Sequence, residues 1–568
     1  MSVSKIVIER NVDVPMRDGV VLAADVYRPA DDEPAPTLIT RTPYGKGFAH
    51  YISSGNFPLP LKLAEEGYAV VVNDIRGRWD SGGEFVPYVH DGPDGYDTVE
   101  WAAGQPWSNG RTGVFGCSYL GLTTLLAARE APPSLKCAIA MVAPANPFLE
   151  MSNGARLVWL LAQAVSNLER PDHGVPESSQ RALFEALAQE SYRRPWRPLE
   201  TAPGISAPQV APYFQEMIRH DSFDAYWEAA SPDSDYGAYS VPILHMGGWW
   251  DGFNIGTVRN FRGISAATDH PQHLWMGPWG HQEYERIYGE YDFGGSAAIG
   301  VPRRGGGGIM RAYLDFLDLH LRGGSSTPAR VTYFLMGANE WRQTESWPPP
   351  GSSVQPFYLH SQGRANTSGG DGRLDRDPPS ADEEADRYIF DPENPVSTQD
   401  GPRISLELPG PQDHQWLEQR PDVLCYTTAE FERPFCVAGT ISLELWAITD
   451  APDTDWTAKL LDVFPDGRSV RLRWGHLSAR FRESIRTPKP VIPGEPTRYT
   501  LELGSIAYRI PVGHRLRLEI SSSDWPAHPP NPNTGEPQAT AAATKIAHQQ
   551  ILHTVSQPST LRLPILAE

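Results

Sequence analysis

The chain has 568 residues, 40% hydrophobic and 21% charged, with a formal net charge of −20 from 49 basic and 69 acidic residues. That length exceeds a single core, so two or three domains are expected. The acidic balance argues against nucleic acid and membrane as partners, and no apolar run reaches membrane-spanning length.

Met1 to Lys5 lacks the apolar stretch and cleavage site of a secretory signal, so a cytoplasmic protein is expected. Val12 to Tyr27 alternates apolar and polar residues around Asp18-Gly19, the signal of a type I′ hairpin. Short apolar runs follow at Thr37 to Thr40, Tyr68 to Asp74, Gly113 to Phe115, Cys137 to Val142, Ile243 to Met246 and Leu274 to Met276. They predict buried strands. Helical stretches lie between them, at Leu59 to Glu66, Asp94 to Ala103 and Leu122 to Arg129. Such alternation predicts a parallel sheet covered by helices on both faces.

Between about Ala145 and Ser240 the alternation breaks. Helical patches at Arg156 to Leu168, Ser179 to Ser191 and Gln209 to Arg219 are separated by prolines, which predicts a helical cap inserted over the site. Ile309 to Leu321 predicts an amphipathic helix that closes the unit. Trp347-Pro348-Pro349-Pro350-Gly351 then punctuates the chain. Beyond it lie short alternating runs, Thr440 to Ala447, Thr457 to Val463, Tyr499 to Leu503 and Arg515 to Ser521. They predict a β-sandwich of jelly-roll type. Gly363 to Asp386 reads as an irregular surface excursion.

Chemistry concentrates in Gly116-Cys117-Ser118-Tyr119-Leu120-Gly121, between a strand and a helix. A serine on such a sharp turn projects its Oγ over the end of a sheet and needs small neighbours. Gly116 supplies one, and Gly121 lies one position later than in the usual G-x-S-x-G elbow. Serine needs a base and an orienting acid. His281 in Gly277-Pro278-Trp279-Gly280-His281 and Asp251 in Trp249-Trp250-Asp251-Gly252-Phe253 each follow a predicted strand, where catalytic groups collect. The order Ser…Asp…His is that of an α/β-hydrolase.

The rivals are weaker. With Cys117 as nucleophile, Phe115 would stand two residues before it, where bulk is poorly tolerated. Cys117 and Cys137 therefore read as buried thiols, while Cys425 and Cys436 could face each other across a hairpin, a pairing the sequence leaves open. His245 lies inside a strand, and His273 precedes one at the wrong edge. His281-Gln282-Glu283 has no second ligand pair, so no metal is expected. Arg303-Arg304-Gly305-Gly306-Gly307-Gly308 lacks the Lys-Ser/Thr of a phosphate loop and reads as a mobile loop. Asp450, Asp453 and Asp455 lack the remainder of a calcium loop and read as turn residues. Trp249, Trp250, Phe253 and Trp279 crowd the site as apolar wall or as core, and Phe253 with Trp159 are the candidates for the substrate pocket.

Together these residues resemble the cocaine esterase / X-Pro dipeptidyl-peptidase family of serine hydrolases. The resemblance runs through Met16-Arg17-Asp18-Gly19, Arg41-Thr42-Pro43-Tyr44-Gly45, Asp74-Ile75-Arg76-Gly77-Arg78, the serine turn with its late glycine, Trp250-Asp251-Gly252 and Gly277-Pro278-Trp279-x-His281. It continues in Ala451-Pro452-Asp453-Thr454-Asp455, Asp466-Gly467-Arg468 and Asn531-Pro532-Asn533-Thr534-Gly535. It implies an oxyanion hole of the Tyr44 hydroxyl and the Tyr119 N–H. It implies an α/β-hydrolase catalytic domain of residues 1–144 and 241–351, a helical cap of 145–240 and a C-terminal jelly roll of 352–568.

The expected activity is cofactor-independent hydrolysis of small-molecule esters, with amides second, through an acyl-enzyme; a homo-oligomer is compatible with it. The alternative within the family is an X-Pro dipeptidyl-peptidase, amino-ester hydrolase or acylase. Members that bind a substrate ammonium need carboxylates in the cap, for which Glu150, Glu169, Glu185 and Asp221 are candidates. From another class, the alternative is a binding protein with a relic triad, against which the intact set of Ser118, Asp251, His281 and Tyr44 argues.

Overall fold

The computed structural model describes residues 6–30, 33–47, 59–150, 159–160, 163, 199–201, 211–281, 284–289, 291–298, 309–397 and 410–567. The patches Arg156 to Leu168 (but for 159, 160 and 163) and Ser179 to Ser191, and the glycine run 305–308, lie outside the described residues.

Two sheets organise the chain. The first contains β1 (Ile6–Pro15), β2 (Val21–Pro29), β3 (Ala35–Thr42), β4 (Ala69–Asp74), β5 (Ser108–Cys117), β6 (Leu135–Met141), β7 (Ile243–Gly248) and β8 (Gln272–Gly277). After a small separate hairpin, β9 (Ile287–Tyr288) and β10 (Tyr291–Asp292), come β11 (Val331–Leu335) and β12 (Glu340–Thr344). The ten-stranded order is β1-β2-β4-β3-β5-β6-β7-β8-β11-β12. From β4 to β11 neighbours run parallel, and β1, β2 and β12 join antiparallel at the margins, so the sheet is mixed. The predicted strands all form. The hairpin at Asp18-Gly19 forms too, but its turn is not type I′. Among its residues only Gly19, at φ 88°, is left-handed, whereas type I′ requires two such residues. The loop instead spans Met16 to Val20, with Gly19 N donating to Met16 O at 3.0 Å.

The helices described along their length include α1 (Pro60–Glu65), α2 (Asp91–Ala103), α3 (Tyr119–Arg129), α4 (Pro147–Glu150), α5 (Pro212–Arg219), α6 (Ala225–Ala230), α7 (Asn254–Ala267) and α8 (Ile309–Arg322). They do cover both faces of the sheet. Val99, Leu125, Ala128 and Ile264 of α2, α3 and α7 pack with Val114 of β5. Leu63, Leu317 and Leu321 of α1 and α8 pack with Phe115 and Cys117, the alternate residues of the same strand. This is the two-residue period of a strand buried on both sides. The unit does not close at α8. The chain returns as β11, beside β8, and turns back as β12.

The second sheet is all β: β13 (Ser352–His360), β14 (Arg373–Asp375), β15 (Asp386–Phe390), β16 (Leu424–Thr427), β17 (Phe435–Thr449), β18 (Asp455–Val463), β19 (Ser469–Ser478), β20 (Thr497–Ile510), β21 (Arg515–Ser521), β22 (Ala547–Ile551) and β23 (Thr560–Leu566). Its order is β15-β22-β17-β23-β13-β14-β16-β21-β18-β19, with β20 on β17. The two halves of this order meet at short β14, through Arg373 against Thr427. Residues 363–386 are therefore not a plain surface excursion: they contribute that link and bury Ala365 and Leu374. Cys425 on β16 and Cys436 on β17 do not oppose each other across a hairpin, because β16 pairs with β14 and β21 and β17 with β20, β22 and β23. Asp453 lies in the bend before β18, as a turn residue should, whereas Asp455 is the first residue of that strand. Both are buried, where the Asn531 side-chain amide donates to each.

The sheets share a continuous core. Trp249, Trp250, Leu274, Met276 and Phe334 of the first belong to the same buried cluster as Leu443, Leu472, Leu503 and Tyr508 of the second. Trp249 and Trp250 are therefore core rather than pocket wall. Trp249 Nε1 donates to Phe334 O at 2.8 Å and Trp250 Nε1 to Arg471 O at 3.1 Å. Trp250 also packs on the rings of Tyr288, Tyr291 and Phe293 from the β9–β10 hairpin. Trp250→Ala should cost roughly 3–5 kcal/mol of stability. With one cluster spanning both sheets, calorimetry should record a single unfolding transition, in the variant as in the parent. Two separated transitions would contradict a shared core.

Candidate active site

Ser118 stands where β5 ends and α3 begins, with φ 60° and ψ −122°. A non-glycine residue in that region is strained. The glycines on either side make the turn geometrically possible. A Cβ on Gly116 would lie 2.3 Å from Leu120 O, and one on Gly121 would lie 2.7 Å from Met141 O. The late glycine is thus needed where α3 crosses the end of β6. Ser118 N donates to Met141 O at 2.9 Å, which ties the turn to the neighbouring strand.

Asp251 follows β7 and His281 follows β8. Both strands end in glycines that let the next loop approach. A Cβ on Gly248 would lie 2.2 Å from Trp279 O, and one on Gly277 would lie 2.3 Å from the Trp279 ring. Trp279 is itself buried, its Nε1 donating to Ala297 O. The loops bring the three side chains into one line. Ser118 Oγ lies 2.8 Å from His281 Nε2, and His281 Nδ1 lies 2.6 Å from Asp251 Oδ2. The other carboxylate oxygen, Asp251 Oδ1, accepts the Phe253 N–H at 2.5 Å. Asp251 is fully buried and acceptor-only when ionised, so Nδ1 carries the proton and the Nε2 lone pair faces Ser118. Tyr284 OH donates to His281 O at 2.8 Å, and the Phe253 ring stands edge-on to the imidazole at 5.3 Å.

The rivals are accounted for physically. The Cys117 thiol is buried against Tyr284 OH, and burial pushes it up to about 12. A thiolate there is scarce at neutral pH. His245 packs in β7 with Nε2 3.0 Å from Gln272 Oε1, and burial pulls it down to about 4. His273 bonds Ala329 O. Among the described residues, no group of three or more His, Cys, Asp or Glu is placed to hold a metal ion.

Tyr44 lies in the loop after β3, and that loop is braced on both sides. Pro43 O accepts from Arg78 Nε at 2.9 Å and from Trp79 Nε1 at 3.0 Å. Lys46 binds Asp74 through its backbone N–H and its ammonium, and binds Asp80 as well. The Asp74-Ile75-Arg76-Gly77-Arg78 motif is thus a clamp on the Tyr44 loop, a purpose its spacing did not disclose. Gly77 fits because a Cβ would lie 2.1 Å from Phe85 N. Trp159 Nε1 donates to Tyr44 OH at 3.0 Å. Burial pushes the phenol up to about 12, so it remains protonated and a hydrogen-bond donor. The Tyr119 N–H is at the first position of α3, where no intrahelical acceptor exists. The Tyr119 hydroxyl, which donates to Asp91 Oδ2 at 2.7 Å, anchors it from below. Trp159 stacks on Tyr119 at 5.6 Å, beside Tyr88.

Two of the carboxylates considered for an ammonium, Glu150 and Asp221, are otherwise engaged. Glu150 Oε1 accepts the N–H groups of Ala145 and Asn146, and burial pushes the carboxyl up to about 8. Asp221 lies 3.7 Å from the Arg480 guanidinium. Glu169 and Glu185 lie outside the described residues. No helix among the described residues is long and apolar enough to cross a membrane.

Residues 18–283 match the X-Pro dipeptidyl-peptidase (S15) family, and residues 324–562 match the X-Pro dipeptidyl-peptidase C-terminal non-catalytic domain. The chain is 34% identical to a cocaine esterase from Rhodococcus sp. (strain MB1 Bresler) over 575 residues, covering 98% of both chains. Among solved structures, an aminopeptidase from a Thaumarchaeota archaeon superimposes with a TM-score of 0.83 at 24% identity, covering 100% of this chain and 97% of the other. An α-amino acid ester hydrolase does so with a TM-score of 0.79 at 23% identity, covering 99% and 97%. The chain belongs to the cocaine esterase / X-Pro dipeptidyl-peptidase family of serine hydrolases, with an N-terminal hydrolase-like domain and a separate C-terminal all-β domain.

Proposed function

We propose that this protein hydrolyses carboxylic esters of small molecules, with Ser118 as nucleophile, His281 as general base and acid, and Asp251 as the orienting acid. The observation that carries this reading is the unbroken line of hydrogen bonds from Ser118 Oγ to His281 to buried Asp251, at 2.8 and 2.6 Å. Ser118 Oγ attacks the ester carbonyl as His281 Nε2 takes its proton. Asp251 stabilises the imidazolium. The oxyanion is held by the Tyr44 hydroxyl and the Tyr119 N–H, donors aimed at charge that develops in the transition state. His281 then protonates the leaving alkoxide, and water, activated by the same imidazole, releases the acid. Phe253 and Trp159 line the substrate side. In fold terms we read an α/β-hydrolase core of residues 1–144 and 241–351, a cap of 145–240 and a jelly roll of 352–568. The strand order, the placement of the three residues after β5, β7 and β8, and the two β halves meeting at β14 support it.

Esters are preferred over α-amino amides because Glu150 and Asp221 already serve the protein's own backbone and Arg480. A hydrolysis screen of acyl esters, acyl amides and dipeptidyl amides with a free amine tests this. Faster turnover of the free-amine substrates would contradict it.

Ser118→Ala should lower kcat at least about 10³-fold with the melting temperature kept, and iodoacetamide should leave the parent enzyme active. Loss of activity on alkylation, with Ser118→Ala still active, would reverse the assignment to Cys117. Turnover requires neutral imidazole, so kcat/KM should show an acid limb, falling as pH drops. His281→Ala should remove that limb together with the activity. A limb near 4 that His245→Ala abolishes would move the base to His245. Tyr44→Phe should lower kcat roughly 10²- to 10³-fold with KM little changed. Near-parental kcat would remove Tyr44 from the oxyanion hole.

A further inference from the structure

The loop that presents Asp251 is gripped from the other domain. Arg473 on β19 donates through Nη1 to Trp249 O and through Nε, at 2.9 Å, to Leu503 O on β20. On the same loop, Trp250 Nε1 donates to Arg471 O at 3.1 Å. Asn254 Oδ1 accepts from Ser505 N at 2.7 Å, while its Nδ2 donates to Gly248 O at 3.0 Å. Gly504, at φ 87°, has no room for a side chain. A Cβ would lie 2.3 Å from Arg473 Nη2 and 2.8 Å from Asn254 Oδ1. Three positions of the acid loop, 249, 250 and 254, are thus held by β19 and β20, and Asn254 passes that hold on to Gly248.

Arg473 is 2% exposed. Burying a guanidinium costs several kcal/mol, and a neutral donor would bond two carbonyls at less cost. A cation does one thing a neutral donor does not: it sets a positive charge on the loop two residues before Asp251, where it acts on the carboxylate. Burial pulls the Arg473 guanidinium down to about 9, and Asp251 is the strongest influence holding it up. It is charged at neutral pH.

We propose that Arg473, supplied by the C-terminal domain, is a positioning residue for Asp251: it holds the Trp249 carbonyl and tempers the carboxylate's pull on the His281 proton. The proposal rests on the triad reading above. Asp251 alone stabilises imidazolium and raises the pH below which the base is lost. A cation acting on the carboxylate offsets part of that, so His281 stays neutral to lower pH. Among the described residues the groups facing this unit can be named. Ser118, Cys117 and Tyr284 flank His281 and Asp251, and Arg471 and Glu502 flank Arg473. Cys117 is neutral at working pH, and Glu502 is engaged with Arg259 at 3.1 Å.

The test compares Arg473→Met, Arg473→Gln and Arg473→Lys in the complete protein. It reads kcat/KM against pH and, independently of substrate, the rate of inactivation by a fluorophosphonate against pH. Loss of the charge in the Met and Gln variants should move the acid limb upward by about 0.5–1 unit in both profiles. The Lys variant should keep the limb near the parental position even if its kcat falls. A lower kcat with the limb unmoved in the Met and Gln variants would show a merely structural residue and overturn the proposal. So would a downward shift, or failure of both neutral variants to fold. An active Ser118→Ala enzyme would instead strike the triad reading itself, so the two failures are distinguishable.

Discussion

The site depends on how closely backbone passes backbone at the carboxyl ends of three strands. Gly116 passes under Leu120 O, Gly121 over Met141 O, Gly248 under Trp279 O, and Gly277 against the Trp279 ring. Each contact is shorter than any Cβ permits. These approaches put the turn after β5, the loop after β7 and the loop after β8 within hydrogen-bond reach of one another. Ser118 at φ 60° is the residue that bears the strain. The twisted parallel sheet supplies the frame, and the glycines let the frame close around the chemistry.

Burial then sorts the ionisable groups into roles. Cys117 beside the nucleophile is pushed to about 12, His245 beneath the acid loop is pulled to about 4, and Tyr44 is raised to about 12. Each shift removes a competing protonation state near neutral pH. Asp251 is buried too, yet it is served by the Phe253 N–H, His281 Nδ1 and the nearby Arg473 charge. A domain whose family description is non-catalytic therefore holds the residues on either side of the acid, and the shared core keeps it there.

Much of this was legible in the sequence, for a definite reason. Backbone crowding selects glycine at particular positions, so Gly116 and Gly121 advertise the turn at Ser118, while the same crowding at Gly248 and Gly277 emerges only from the structure. What lay hidden depends on tertiary covering. Val470-Arg471-Leu472-Arg473-Trp474 is an alternating run, which carries no site signal of its own. It does not say that the acid loop and β20 cover the polar face. The same covering decides between wall and core for Trp249 and Trp250, and buries Asp453 and Asp455 around Asn531. The return of the chain as β11 was visible in the apolar run Val331 to Leu335, but the strong helix before it looked like an end. The brace on Tyr44 from Arg78, Trp79 and Lys46 joins segments some thirty residues apart, beyond any local pattern.

The central claim is that chemistry passes through a covalent bond at Ser118. Acid quenching during turnover of an activated acyl ester, followed by peptide mass spectrometry, tests it most directly. The account predicts one acyl group on the Ser118 oxygen, absent from Ser118→Ala. An acyl group on Cys117, or sustained turnover with no adduct on the 116–121 segment under conditions where deacylation is slow, would contradict it.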